Sequence, residues 1–470
     1  MTLLEADVCV IGAGSGGLSV AAGAAQLGVR TVLVERGAMG GDCLNTGCVP
    51  SKALLAAAHA AQAARDAAAL GVVARPEIDF AAVHRHVHGA IAAIAPHDSQ
   101  ERFEGLGVTV LREDARFLDA RTLRAGAVTV RARRFVLATG SRPLVPDLPG
   151  LARVPFLTNE TVFTLTERPR HLIVLGGGPI GCELAQAFRR LGAQVTLVAR
   201  SRLLPREDPD LGAMVAARLR REGVEVREHA SAHAVEPDAE GVALAVGGHR
   251  LTGSHLLVAT GRRPTVEGLG LEAAGVVVEA RGVRVDGRLR TSNRRIFAVG
   301  DVAGQGQFTH LAGHHAARVV RAMLFRLPGG GGAAIPRVTY TDPELAQVGL
   351  TESQARAEHG DGVRVLAAPF ADNDRARCEA RTDGLLKVVT TRRGRVLGAG
   401  IVGAAAGDLL VPWILAVDGV VPLRALAGMV VPYPTRGEVT KRAAGAYYKE
   451  SLFSPRSRAV VRFLMGLTRR

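Results

Sequence analysis

ADVCVIGAGSGG, Ala6 to Gly17, is an apolar run that ends in a glycine-rich turn, and an Ala-rich helical pattern follows it directly. Strand, glycine turn and helix in that order open a βαβ unit. TVLVERG, Thr31 to Gly37, supplies the second strand. The same order recurs in HLIVLGGGPIGCELAQAFRRLGAQVTLVAR, His171 to Arg200. Each copy closes on an apolar run followed by ATG, in VTVRARRFVLATG (Val128 to Gly140) and LLVATGRRP (Leu256 to Pro264). Segments like the first unit resume near Val266, so the second copy reads as an insertion into the first. The expected fold is α/β, with two Rossmann-like dinucleotide-binding domains. Near Ile335 the texture changes, and PRVTYTDPELAQVGLTE opens an α+β third domain.

The glycine spacing says what each turn is for. Gly12, Gly14 and Gly17 fit GxGxxG. The first permits the tight turn, the second lets the backbone approach a pyrophosphate, and the third allows close helix packing. The helix start then offers amide donors and positive dipole to the phosphates. Glu35, at the end of the second strand, is placed to accept hydrogen bonds from a ribose. Gly176, Gly178 and Gly181 repeat the pattern, but Ala199 stands where Glu35 would be, and Arg200, Arg202 and Arg206 follow. A carboxylate repels a ribose 2′-phosphate, whereas arginines bind it bidentately. The second ligand is expected to be NADPH, with NADH less favoured.

Bulk properties bound the rest. A chain of 470 residues, 47% apolar and 22% charged, has material for several globular cores. The net charge of +15 raises the question of a polyanionic partner. The arginines are scattered and only 4% of residues are aromatic, so no nucleic-acid partner is expected. Five cysteines in this length do not form a disulfide framework. The first residues run straight into a strand without a basic leader, and the apolar stretch Ala399 to Val421 is broken by Asp408 and Asp418. A cytoplasmic protein is expected.

Two cysteines lie in GGDCLNTGCVPSKAL, Gly40 to Leu54. In a regular helix Cys43 and Cys48 would be about 7.5 Å apart along the axis and on different faces, too far for an unstrained disulfide. Asn45-Thr46-Gly47 must therefore turn irregularly. Pro50 suits the first turn of a following helix, which sets Cys48 near a positive dipole end that lowers thiol pKa. Cys9, on the first strand, and Cys182, on the second glycine-turn helix, read as core residues; Cys378 lies in a charged loop-like run.

This cysteine segment closely resembles the redox-active segment of the class I pyridine nucleotide-disulfide oxidoreductases, the family of dihydrolipoamide dehydrogenase, glutathione reductase and mercuric reductase. The two ATG segments, TSNRRIFAVGD (Thr291 to Asp301) and TYTDPELAQVGLTE match as well. The resemblance implies an FAD-dependent reductase passing electrons from NADPH through FAD to a Cys43/Cys48 disulfide, and on to a disulfide or other thiol-reactive acceptor. It implies that Cys48 contacts the flavin and Cys43 exchanges with substrate. Lys52 resembles the lysine beside the flavin ring, Glu183 its ion-pair partner, and Asp301 the aspartate that binds the ribityl chain. Gly140 and Gly261, closing the ATG segments, become contacts to FAD and NADPH respectively. The implied domains are residues 1–147 and 266–334 for FAD, 148–265 for NAD(P)H, 335–450 for dimerisation of a homodimer, and 451–470 as a basic tail.

The resemblance breaks in Tyr433-Pro434-Thr435-Arg436-Gly437-Glu438. Members that reduce small disulfides carry His-Pro-Thr followed by Glu, contributed across the dimer, where the His shuttles a proton. Glu438 is kept, but Tyr433 replaces the His, and a phenol with a pKa near 10 is a poor base at neutral pH. His310, His314 and His315 are substitutes to weigh. Mercuric reductase has Tyr at this position and resembles VTLVARSRLLPREDPDLG, Val195 to Gly212, so a mercuric or other metal-ion acceptor is an alternative reading. No vicinal cysteine pair stands near the C-terminus, and no resident metal site is assigned. The tail SLFSPRSRAVVRFLMGLTRR carries five arginines and an apolar stripe. A helix docked on the protein's own surface is the general expectation for it. Peripheral contact with an anionic membrane is the alternative, and would suit a quinone reductase or a redox-sensing flavoprotein with little disulfide turnover.

Overall fold

A computed structural model describes residues 2–327 and 332–467. The first sheet is ordered Val108–Leu111, Thr31–Val34, Thr2–Ile11, Val128–Leu137, with these strands parallel. Ile296–Ala298 joins the same sheet in parallel against Phe135, Val136 and Leu137. A strand from beyond the second glycine motif thus completes the sheet begun at Thr2. The central strand is fully buried from Val8 to Ile11, because helices cover both faces of a parallel sheet.

The second sheet repeats that order: Glu225–Arg227, Gln194–Val198, His171–Leu175, His255–Val258, all parallel. A three-stranded antiparallel layer, Ala232–Asp238, Gly241–Val246 and His249–Gly253, is hung on it. The two crossings between the units pair with each other, Ser141–Pro143 against Arg262–Pro264.

The third sheet is antiparallel, in the order Arg337–Thr339, Glu344–Gly349, Val396–Gly403, Leu385–Thr391, Val363–Pro369. Its core holds Trp413 and Phe370, both fully buried. Polar groups join it to the second unit: the buried Arg190 reaches Glu222 Oε1 at 2.6 Å and Asp342 Oδ2 at 3.1 Å. Lys387 gathers Asp208, Asp210 and Glu352. The α/β architecture with two doubly wound units and an α+β third domain is the one expected.

Cys9 and Cys182 are fully buried, as core residues are. Cys378 ends the short helix Asp374–Cys378 and is exposed. The tail departs from the docked-helix expectation: Pro455–Leu467 is a helix, but every residue in it except Ser457 is exposed. Val460, Val461, Phe463, Leu464 and Leu467 on it are each more than half exposed.

Candidate active site

The two glycine turns obey one geometry. Gly12 has φ +105°, and a Cβ there would sit 2.4 Å from the carbonyl oxygen of Ala138; Gly176 has φ +127°, with the oxygen of Ala259 at 2.2 Å. A Cβ on Gly17 would meet the oxygen of Gly12 at 1.9 Å, and one on Gly181 would meet that of Gly176 at the same distance. Each turn is thus pressed against the ATG segment that closes its own unit. Gly14 and Gly178 line the cleft; a Cβ on Gly178 would meet nothing within 4 Å and one on Gly14 only the Gly41 Cα at 4.0 Å, so a phosphate can come against bare backbone.

Both turns open on a single cleft of about 2310 Å³. Gly12, Gly14, Glu35, Gly140 and Asp301 line it on one side, and Gly176, Gly178, Arg200, Arg206 and Gly261 on the other, with Cys43, Cys48, Lys52 and Glu183 also in its wall. Gly17 and Gly181 are packing glycines behind it. Glu35 is held at the turn, its Oε2 accepting from the Ala13 N–H and its Oε1 from the Gly37 N–H, both at 2.6 Å. Ala199, its counterpart, is buried. Arg200 and Arg206 are exposed along the rim. Arg202 is not available for a ligand, because its guanidinium caps the carbonyls of Leu204, Pro205 and Glu207.

The cysteine segment turns as its spacing requires. A short helix, Gly41–Asn45, carries Cys43, the chain breaks at Thr46 and Gly47, and Cys48 starts the long helix Cys48–Asp66. Gly41 lies against Gly14, where a Cβ would come within 2.7 Å of the Gly14 Cα, so the cysteine helix abuts the phosphate turn. Both thiols are free. Cys48 Sγ lies 3.3 Å from Thr309 Oγ1, and Thr309 is the first residue of the helix Thr309–Leu324. Two helix N-termini therefore point toward one sulfur.

That environment separates the two thiols. The Cys48 thiol is brought down to about 6, first by the hydrogen bond from Cys43, with Thr309 and the Lys52 ammonium adding to it against the cost of burial. Cys43 is pushed up, first because its proton is held in that bond and second by burial. At neutral pH the reduced pair is a Cys48 thiolate accepting from a Cys43 thiol.

Lys52 stands one turn below Cys48. Its Nζ is 2.8 Å from Glu183 Oε2 and 4.2 Å from the centre of the Tyr340 ring. Glu183 is buried, and its Oε1 accepts the Tyr340 backbone N–H at 2.9 Å. Asp301 Oδ2 accepts from Ser141 Oγ at 2.5 Å, and burial pushes its carboxyl above the usual range. Arg262 ties this corner together, donating to Ser141 Oγ at 2.8 Å and lying 3.3 Å from Asp42 Oδ2, next to Cys43. The glycine cradle, the fixed Glu35 carboxylate and the half-buried Asp301 fit FAD: a pyrophosphate against bare amides, a ribose at Glu35, and a polyol chain at Asp301.

Thr309, Tyr340 and Arg262 were not singled out by sequence reasoning. Tyr340 and Arg262 fall inside segments whose family likeness is plain. Their roles are invisible there because each acts on a residue more than a hundred positions away. Two of the histidines are already engaged by the protein. His310 lines the cleft, but its Nε2 is 2.9 Å from the carbonyl of Pro336. His315 is buried against the Gly300 N–H, and burial lowers its pKa to about 4. Tyr433 and Glu438 are not brought to the cysteines within one chain. They sit on the third domain, where Tyr433 is 71% exposed and donates to Asp374 Oδ2 at 3.1 Å, while Glu438 Oε2 accepts from the Thr435 N–H at 3.4 Å.

Residues 6–316 match the family described as Pyridine nucleotide-disulphide oxidoreductase, and residues 335–444 its dimerisation domain. The chain belongs to that family. Similar to this pyridine nucleotide-disulphide oxidoreductase is a mercuric reductase of Streptomyces lividans, 37% identical, the match covering 94% of this chain and 96% of the relative. A dihydrolipoyl dehydrogenase of Bacillus subtilis is 35% identical, with 94% and 96% covered. Among solved structures, the HOCl-induced flavoprotein disulfide reductase RclA from Escherichia coli, as its Cu(II) complex, superposes with a TM-score of 0.85 at 27% identity, covering 94% of this chain and 99% of that one. The chain is thus an FAD-dependent oxidoreductase working with a pyridine nucleotide on sulfur chemistry, and it carries the family's dimerisation domain. Among the described residues, no helix is long and apolar enough to cross a membrane.

Proposed function

We propose that the chain is an NADPH-dependent reductase in which the Cys43/Cys48 pair is the last carrier before a disulfide or other thiol-reactive acceptor. FAD, when bound, supplies the two-electron relay between the nicotinamide and the disulfide. The residues do the rest. Arg200 and Arg206 hold the 2′-phosphate of NADPH at the rim, where Ala199 leaves no carboxylate to repel it. Gly178 and the helix behind it receive the pyrophosphate. Lys52, oriented by Glu183, places a cation where negative charge accumulates on the reduced cofactor. Cys48 stays at that end as a thiolate, while Cys43 keeps its proton until it exchanges with the acceptor.

The observation that supports this reading is the asymmetry of the pair, an acidic Cys48 and a proton-holding Cys43 at the meeting of two helix N-termini. Anaerobic titration of the purified holoprotein with NADPH tests it. The long-wavelength absorbance of a thiolate beside oxidised flavin is expected in the wild type and is absent from Cys48→Ser. A protein purified without flavin, or one that NADPH does not reduce, sinks the proposal.

The exposed Tyr433 bears on the acceptor. In a homodimer it and Glu438 would complete the partner's cysteine site, and a phenol whose pKa is raised, first by its bond to Asp374, cannot take a proton at neutral pH. That favours a second reading, a mercuric or other soft metal ion as acceptor, for which two thiolates are suitable ligands. Steady-state rates with lipoamide, glutathione disulfide and mercuric ion separate the two. A homodimer by light scattering is expected in both.

A further inference from the structure

The helix Pro455–Leu467 lies beyond the residues that match the dimerisation domain, which end at 444. At 100° per residue, Val460, Val461, Phe463, Leu464 and Leu467 fall within an arc of about 160°. Each of these five is more than half exposed. Arg458 and Arg462 take the opposite side, and Arg456, in the first turn, falls inside the arc between Phe463 and Leu467. Leu452 and Phe453, just before the helix, are exposed as well. From Ser451 to Arg470 there are five arginines and no acidic residue.

We propose that this helix lies in the interface of an anionic lipid bilayer and holds the reductase at a membrane surface. The proposal goes beyond the reading of the redox site and does not depend on it. Thirteen residues make a helix about 20 Å long, well short of a span, which takes about 20 residues. Lying flat, the same helix buries its stripe among the upper acyl chains and leaves Arg458 and Arg462 level with the headgroups. Arg456 reaches those headgroups by extending its side chain over the apolar stem.

Charge decides among occupants. A second copy would bring the same cationic helix and no carboxylate in this segment to pair with it. A neutral apolar groove would cover the stripe and leave the arginines unmatched. An anionic bilayer supplies apolar depth and negative charge together along the whole helix. Two tails on one dimer would bind as a pair, so modest affinity per helix would suffice.

The test uses flavin-loaded full-length protein and vesicles of phosphatidylcholine, with or without about one quarter phosphatidylglycerol. Sedimentation is followed by flavin absorbance and NADPH oxidation in pellet and supernatant. The protein is expected to pellet with anionic vesicles at low salt, and to remain in the supernatant with neutral ones. Removing the pair in Arg458→Gln/Arg462→Gln is expected to weaken binding about 25-fold, at roughly fivefold per arginine. Leu464→Asp is expected to abolish binding, with flavin content and soluble turnover unchanged in both variants. Because those two readouts come from the same samples, failure of the membrane proposal and failure of the reductase reading are distinguishable. No binding to anionic vesicles, equal binding to neutral ones, or wild-type binding by either variant overturns the proposal. So does a Leu464→Asp protein that drops from a higher oligomer to a smaller one without any vesicle effect, which would give the stripe to a second copy.

Discussion

Thr309→Val is the sharpest probe of how Cys48 is kept ionised. Cys48 sits at about 6 first because of the Cys43 thiol and then because of the Thr309 hydroxyl, 3.3 Å away. Valine keeps the shape of threonine and removes only the donor. A hydrogen bond to a charged group contributes about 1.5–3 kcal/mol. The open cleft beside the sulfur places this one at the low end, about 1.5 kcal/mol, or roughly one pH unit. The midpoint should therefore move from about 6 to about 7. The sign follows from which form is stabilised: the thiolate gains the bond, so its loss moves ionisation to higher pH. At pH 6.5 the thiolate fraction falls about threefold. The assay is the pH dependence, from 5 to 9, of the long-wavelength band in the two-electron-reduced holoprotein, checked by alkylation rates of the reduced protein. Thr309→Ser restores the donor and is expected to restore the midpoint. A Thr309→Val curve that overlies the wild type within about 0.3 pH unit, or a serine variant that tracks the valine one, would refute the reasoning.

Further expectations separate the two nucleotide sites and the ion pair. Gly17→Ala places a Cβ on the Gly12 carbonyl and is expected to yield protein without flavin, whereas Gly181→Ala, with the same clash at Gly176, keeps flavin and raises the KM for NADPH at least tenfold. Flavin content and initial rates check both. Arg200→Glu/Arg206→Glu is expected to lower kcat/KM for NADPH by about 100-fold and leave NADH within about threefold, on the scale of two charge-assisted bonds; equal losses with both nucleotides would show the arginines to be a solvated rim. Lys52→Met strands the buried Glu183 carboxylate. Because Lys52 is itself 37% exposed, the cost is about 1–2 kcal/mol and a few degrees in Tm. Adding Glu183→Gln recovers the Tm but not the turnover, and recovery of both would remove the pair from the mechanism.

Much of the site was legible because its chemistry depends on local spacing. GxGxxG after a strand forces the turn at Gly12 and Gly176, since only glycine tolerates those φ values and the carbonyls pressed on them. Six residues from Cys43 to Cys48 forced the break at Thr46 and Gly47, because a straight helix cannot bring those sulfurs together. The exchange of Glu35 for Ala199 was visible by aligning the chain with itself. Arg202 was misleading for the opposite reason: an arginine in sequence says nothing of whether its guanidinium is already engaged, and here three carbonyls engage it.

The cysteine pair, the two phosphate turns and the α/β class were determined by residues within a few positions of one another, where backbone sterics leave little choice. The helix start marked by Pro50 already singled out Cys48 as the acidic thiol, and tertiary structure added the Thr309 hydroxyl that helps hold it so. Cys43, Cys48, Thr309 and Lys52 meet only when the sheet strand Ile296–Ala298 returns beside Phe135 to Leu137 and sets the helix Thr309–Leu324 against the cysteine turn. Folding brought Lys52 to Glu183, the partner that the family resemblance implied, and alone added the Tyr340 ring from the third domain. It left the last helix with its apolar stripe uncovered. Electrostatic coupling and burial depend on distances in space, and those distances are products of packing among segments far apart in the chain.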